Sequence, residues 1–128
     1  MRIMIADDAA FIREIIAQVC EEQGHTVCGM ASNGQEAVNL FKSVAPEIVF
    51  MDLVMPEMNG IVAAHKILEL NPNTKIIACS TIDQKEYIKK STEAGCVAYL
   101  AKPFTKIQII ETLNKLHQVT QSAGGNYV

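Results

Sequence analysis

Ile48-Val49-Phe50-Met51-Asp52, running on into Leu53-Val54-Met55-Pro56, is the stretch on which the fold turns. Four apolar residues in a row, with no polar alternation, suit a strand covered on both faces, as in a parallel sheet between layers of helices. The acid that ends the run then falls at the strand's carboxyl end, where open α/β sheets bind their ligands. Working outward, the same arrangement recurs. Ile3-Met4-Ile5-Ala6 leads into Asp7-Asp8, Ile76-Ile77-Ala78-Cys79 into Ser80-Thr81, and Val97-Ala98-Tyr99-Leu100-Ala101 into Lys102-Pro103.

Strands over 2–6, 26–30, 48–51, 75–79 and 97–101 therefore alternate with helix-type runs. The second strand is more mixed than the others, which suits a sheet edge. Phe11, Ile12, Ile15, Ile16 and Val19 form an apolar face at helical spacing, and Ala37, Val38, Phe41 and Val44 repeat it. Ile61, Ala64 and Leu68 mark a third helix, and Ile109, Ile110, Leu113 and Leu116 the last. The run 83–94, with Tyr87 and Ile88 as its main apolar residues, predicts a loosely docked helix. Asn33 with Glu36, Asp83 with Glu86 and Thr105 with Gln108 have capping-box spacing, while Gly24 and Gly95 sit where left-handed C-terminal caps belong. Such an alternation without hairpin signals calls for right-handed crossovers. The expected fold is α/β, a (βα)5 doubly wound parallel sheet of flavodoxin-like strand order 2-1-3-4-5. Residues 1–119 would form this domain and residues 120–128, polar and containing Gly124-Gly125, a flexible C-terminal tail.

A chain of 128 residues has the length of one domain that folds without disulfides or structural metal. Its longest apolar run, residues 96–101, is far too short to cross a bilayer, and acids follow the N-terminus too closely for a secretion signal. No membrane role and a cytoplasmic location are expected. A net charge of −3 offers no general attraction to nucleic acid. Cys20, Cys28, Cys79 and Cys96 lack metal-site spacing and read as buried reduced thiols, and His25, His65 and His117 as surface or helix-end residues. Ten of the 14 acids are Glu, whereas three of the four Asp, namely Asp7, Asp8 and Asp52, follow apolar runs. The short side chain is thus concentrated at strand ends.

With strands one, three and four adjacent, these carboxylates, the Ser80 hydroxyl and the Lys102 ammonium converge on one area. Clustered carboxylates repel unless a cation lies among them, and an all-oxygen set is what Mg²⁺ prefers. One carboxylate could then attack a phosphoryl group while metal and lysine neutralise its oxygens. Asp52, solitary and central, is the candidate nucleophile, with Asp7 and Asp8 holding metal and Lys102 and Ser80 on the phosphoryl oxygens. The competing reading of Asp8 is an ordinary cap of the following helix.

The acidic pair Asp7-Asp8, the segment Met51-Asp52-Leu53-Val54-Met55-Pro56-Glu57-Met58-Asn59-Gly60, Ser80-Thr81 and Tyr99-Leu100-Ala101-Lys102-Pro103-Phe104 together resemble the receiver domains of two-component response regulators, over residues 1–120. The resemblance implies that Asp52 is phosphorylated by a sensor histidine kinase, CheA-like, or by small phosphodonors. It implies Mg²⁺, for which Mn²⁺ could substitute, on Asp8, Asp52 and the Val54 backbone carbonyl with Asp7 assisting, and a cis Lys102-Pro103 bond. It further implies a switch through Ser80 and Tyr99 that alters a face including Lys85, Ile88, Tyr99 and Thr112. Val54 and Ile82 are apolar where many relatives carry polar residues, and Thr81 is larger than the usual Ala or Gly, so slow dephosphorylation is expected.

Nothing after Leu116 offers an output domain, so the expected mode is docking by a monomer to a protein partner. Among single-domain receivers the motifs look most like chemotaxis CheY proteins, whose phosphorylated form binds the flagellar motor switch. A phosphorelay intermediate or a receiver cut from a longer regulator is the alternative. A Mg²⁺-dependent aspartyl-phosphate phosphohydrolase would need an acid at Val54, and a flavodoxin a glycine-rich phosphate loop in place of Asp7-Asp8-Ala9-Ala10.

Overall fold

The computed structural model describes residues 1–81 and 85–123, those from 118 onward by their backbone alone. Parallel strands β1 (Arg2–Ala6), β2 (Thr26–Ala31), β3 (Ile48–Asp52), β4 (Lys75–Ser80) and β5 (Ala98–Ala101) form one sheet in the order β2-β1-β3-β4-β5. Between and after them run α1 (Ala10–Glu22), α2 (Gly34–Val44), α3 (Gly60–Leu70), α4 (Lys85–Glu93) and α5 (Lys106–Ala123). The architecture is the expected doubly wound (βα)5 sheet.

Two apolar layers flank the sheet. Val49, Met51, Ile76 and Ala78 point to one side against Phe41 of α2 and Ala63, Ala64 and Ile67 of α3. Ile3, Ile5, Ile48, Phe50 and Ile77 point to the other, against Ile16, Val19 and Cys20 of α1 and Ile109 and Leu113 of α5. The unbroken apolar reading of β3 follows directly, because every one of its residues is buried. β2, with its mixed burial, is an edge strand as its composition predicts.

Local punctuation behaves as its chemistry dictates. Asn33 Oδ1 accepts from the Glu36 amide at 2.7 Å. Thr105 and Gln108 exchange both bonds of a capping box, at 2.8 and 3.1 Å. Gly24 and Gly95 end their helices at φ 84° and 101°.

Three expectations need correction. Phe11 and Ile15 are 64% and 46% exposed, because α1 is rotated to seat Ile16, Ala17, Val19 and Cys20 on the sheet. A five-residue apolar face is wider than one sheet surface can cover. Cys28 is only half-buried, since it lies on edge strand β2. Val97 is exposed and precedes β5 instead of opening it. The backbone of α5 runs to Ala123. Among the described residues α4 buries only Ser91, in keeping with a weakly docked helix. Ile82, Asp83 with its capping role, and residues 124–128 lie outside the described residues.

Candidate functional site

At the carboxyl ends of β1 and β3, one oxygen each from Asp7, Asp8 and Asp52 lie within 4.8 Å of one another. Parallel pairing puts them there: β1 and β3 are neighbours with Ala6 opposite Met51, so the residues that follow emerge side by side. Asp7 and Asp52 are buried, whereas Asp8 is exposed at the mouth.

Each buried carboxylate is held. Asp7 Oδ1 accepts the Ala9 amide at 2.9 Å and its Oδ2 takes the Lys102 ammonium at 2.7 Å. Asp52 Oδ1 accepts the Val54 amide at 3.1 Å, and its Oδ2 lies 3.3 Å from Lys102 Nζ. Lys102 follows β5 at the far edge, and its peptide bond to Pro103 is cis. Arg13 Nη1, from α1, donates to the backbone carbonyl of Asp7 at 2.6 Å.

The electrostatics are those of an under-compensated acid cluster. Burial pushes the Asp52 carboxyl up to about 6, against the bond from the Val54 amide, with Asp7 adding to the rise and Lys102 opposing it. For Lys102, burial works against the charge, but the bond to Asp7 and the fields of both carboxylates outweigh it and hold the ammonium above the ordinary lysine value. Three carboxylates facing one ammonium leave negative charge and oxygen lone pairs that a small hard cation would satisfy. The donor set therefore fits Mg²⁺.

Asp8 does not cap α1. The cap position is Ala9, which offers no side-chain bond, so the helix-capping explanation of Asp8 falls away. Val54 is 53% exposed beside Asp52, with its backbone in the turn that leaves β3. Ser80 is buried at the end of β4, and Thr81 after it is exposed. Tyr99, half-buried on β5, packs on the core layer shared with α2 and α3. On the proposed partner face, Lys85 is exposed, Ile88 half-buried, and the half-buried Thr112 bonds its hydroxyl to the Gln108 carbonyl of its own helix at 2.8 Å.

Sequence reasoning missed two contributors. Arg13 sits within an apolar-looking helix and makes its contact across 6 residues, so a cation one and a half turns after an acidic pair was the available signal. Gly60 lets the chain pass so close to β3 that a Cβ there would stand 2.1 Å from the Asp52 carbonyl oxygen. Its signal was a glycine directly after Asn59, which caps α3 by accepting from the Val62 amide at 3.0 Å.

A five-stranded doubly wound sheet with an acid trio and a lysine at its carboxyl edge defines a class. The family model described as the response regulator receiver domain matches residues 3–114, and the chain belongs to that family. It is 43% identical over 115 residues to the chemotaxis protein CheY of Thermotoga maritima, covering 90% of this chain and 96% of that one. It is 38% identical over 114 residues to CheY of Bacillus subtilis, covering 89% and 95%. In fold it matches CheY from Borrelia burgdorferi, solved in complex with CheX, BeF3 and Mg²⁺, at a TM-score of 0.88 and 24% identity over 91% of this chain and 89% of that one. The protein is thus a CheY-like receiver with an acidic pocket. Among the described residues no helix is long and apolar enough to cross a membrane.

Proposed function

We propose that this protein is a phosphoacceptor response regulator in which Asp52 takes the phosphoryl group of a CheA-like sensor kinase's phosphohistidine. The observation that carries the reading is the position of Asp52: buried at the end of central strand β3, close to two further carboxylates and 3.3 Å from Lys102 Nζ. Asp8, Asp52 and the Val54 carbonyl hold Mg²⁺, with Asp7 assisting, and Mn²⁺ substitutes. When bound, the metal supplies positive charge to phosphoryl oxygens. Asp52 contributes its carboxylate oxygen as nucleophile, the donor's P–N bond breaks as the P–O bond forms, and the histidine nitrogen leaves with the bonding pair. Lys102, already drawn toward Asp52, and the Ser80 hydroxyl compensate the added charge. The protein catalyses this transfer onto itself and the slow hydrolysis that returns the Asp52 carboxylate and releases inorganic phosphate, but turns over no external substrate.

Ser80 and Tyr99 couple the modification to the surface of α4, β5 and α5, with Lys85, Ile88, Tyr99 and Thr112 meeting the partner. Support comes from α4, whose only buried described residue is Ser91, so moving it disturbs little packing. Similarity to chemotaxis proteins favours the flagellar motor switch as that partner. The site works in the cytoplasm in a monomer, as the 1–119 domain, with neither nucleic acid nor membrane involved.

The test is acetyl phosphate, or beryllofluoride, with Mg²⁺ on wild type and Asp52→Asn, read by intact mass. One phosphoryl or beryllofluoride adduct on wild type and none on the variant is the expected result; an adduct that persists on Asp52→Asn sinks the assignment. Phosphorylation-dependent capture of motor-switch peptides then separates chemotaxis from a phosphorelay role.

A further inference from the structure

We infer that Arg13 is a positioning residue of the acidic site, setting the Asp7-Asp8 backbone through its bond to the Asp7 carbonyl. The inference rests on the reading of that site as a Mg²⁺ site. Asp7 is tied at every polar group. Its amide donates to the Ala31 carbonyl at 3.0 Å, its Oδ1 accepts from Ala9 at 2.9 Å, its Oδ2 from Lys102 at 2.7 Å, and its carbonyl from Arg13 Nη1 at 2.6 Å. Asp8 is different. Among the described residues no hydrogen bond holds its carboxylate, which stands exposed yet within 4.8 Å of the other two. Its place depends on the backbone that carries it.

Two of the bonds on that backbone turn lie closest to Asp8. One is the bond from Ala9 back to the Asp7 side chain. The other comes from Arg13, whose own amide donates to the Ala9 carbonyl at 3.2 Å while its guanidinium holds the carbonyl of Asp7. One residue of α1 thus grips both ends of the segment that contains Asp8. Ala9, as cap of α1, has no side chain to help. Fixing a carbonyl with a charged donor restrains the Asp7-Asp8 peptide plane and hence the direction in which Asp8 projects.

The sign of the effect separates this role from a simple field. A guanidinium near a cation site repels the cation, so if charge alone mattered its removal would tighten Mg²⁺ binding. If orientation matters, its removal weakens binding.

The experiment is calorimetric Mg²⁺ titration of wild type, Arg13→Met and Arg13→Lys, with thermal unfolding of each in EDTA. Arg13→Met, which keeps the stem but no donor, is expected to bind Mg²⁺ about tenfold more weakly, in the range seen when groups orienting metal ligands are removed. Arg13→Lys, which restores a cationic donor without the planar fork, should recover to within about threefold of wild type. The metal-free unfolding temperatures should stay within a few degrees of one another. Unchanged or tighter binding in Arg13→Met overturns the inference, as does collapse of its metal-free fold, which would assign Arg13 to stability. Wild type that takes up no Mg²⁺ fails the site reading itself and takes the inference with it, an outcome visible before any variant is compared.

Discussion

Lys102 Nζ and Asp7 Oδ2 meet at 2.7 Å although 95 residues separate them. The lysine reaches from edge strand β5 past β4 and β3 to a carboxylate after β1. Among the described residues, its removal leaves buried Asp7 and Asp52 without an ion-pair partner. Lys102→Met should therefore lose about 2–4 kcal/mol of stability at pH 8, above the raised Asp52 value of about 6. The loss should shrink at pH 5, where Asp52 can take a proton. Urea denaturation at the two pH values reads the difference.

Asp52 behaves as a stored electrostatic cost. Its folded pKa, raised to about 6 chiefly by burial, lies above its unfolded value of 3.8. Between those values the native state binds more protons, so this group's contribution to stability falls as pH rises from about 4 through about 6. Asp52→Asn should thus unfold several degrees higher than wild type at pH 7.5, about 1–2 kcal/mol after allowing for solvent screening, and nearly together with it at pH 4. A melting series across that range checks both sign and window.

Mg²⁺ should repay the same cost in wild type. At ten times its dissociation constant the ion adds about 1.4 kcal/mol if it binds only the folded chain. The melting temperature of wild type should rise with Mg²⁺ at pH 7.5, and that of Asp52→Asn markedly less. Equal rises would place the ion elsewhere.

Gly60→Ala tests how closely α3 is set against the phosphoacceptor strand. The new methyl group would stand 2.1 Å from the Asp52 carbonyl oxygen and 2.7 Å from Leu53 Cα, both backbone atoms. Relief requires the loop between β3 and α3 to move. A destabilisation of about 3 kcal/mol or more is expected, together with weaker Mg²⁺ binding, measured by denaturation and titration.

Val54 is 53% exposed beside Asp52, so its replacement costs the fold little. Val54→Asn supplies an amide that can orient an attacking water, and the phosphoryl group should be lost about tenfold faster or more. A decay course by intact mass after removal of the donor tests this. Rapid loss in wild type, unchanged in the variant, would contradict the role given to the apolar side chain.

Much of this was legible in the chain because parallel strands leave a simple signature. Runs such as Ile3-Met4-Ile5-Ala6 and Ile48-Val49-Phe50-Met51 have no polar face to offer, so they demand cover on both sides, and their order with the helices then restricts the topology. The trio Asp7, Asp8 and Asp52 and the basic partner Lys102 could be placed at one edge for the same reason. The exposed faces were harder. Phe11 and Ile15 carry the same helical periodicity as Ile16 and Val19, yet only the rotation of α1 on the sheet decides which pair is covered. Arg13 and Gly60 escaped because a backbone carbonyl and a close backbone approach have no side-chain signature of their own.

By itself, then, the sequence determined the (βα)5 class, the strand order and the set of side chains gathered at the carboxyl edge, since hydrophobic pattern and chain connectivity act through local, short-period rules. The tertiary structure alone decided that Lys102 bonds Asp7 more closely than Asp52, that Asp8 has no side-chain partner among the described residues, and that Arg13 bonds the Asp7 carbonyl beside it. These depend on distances of a few ångströms between residues remote in the chain, which are set when the sheet twists, α1 docks and buried charges find the partners that burial requires.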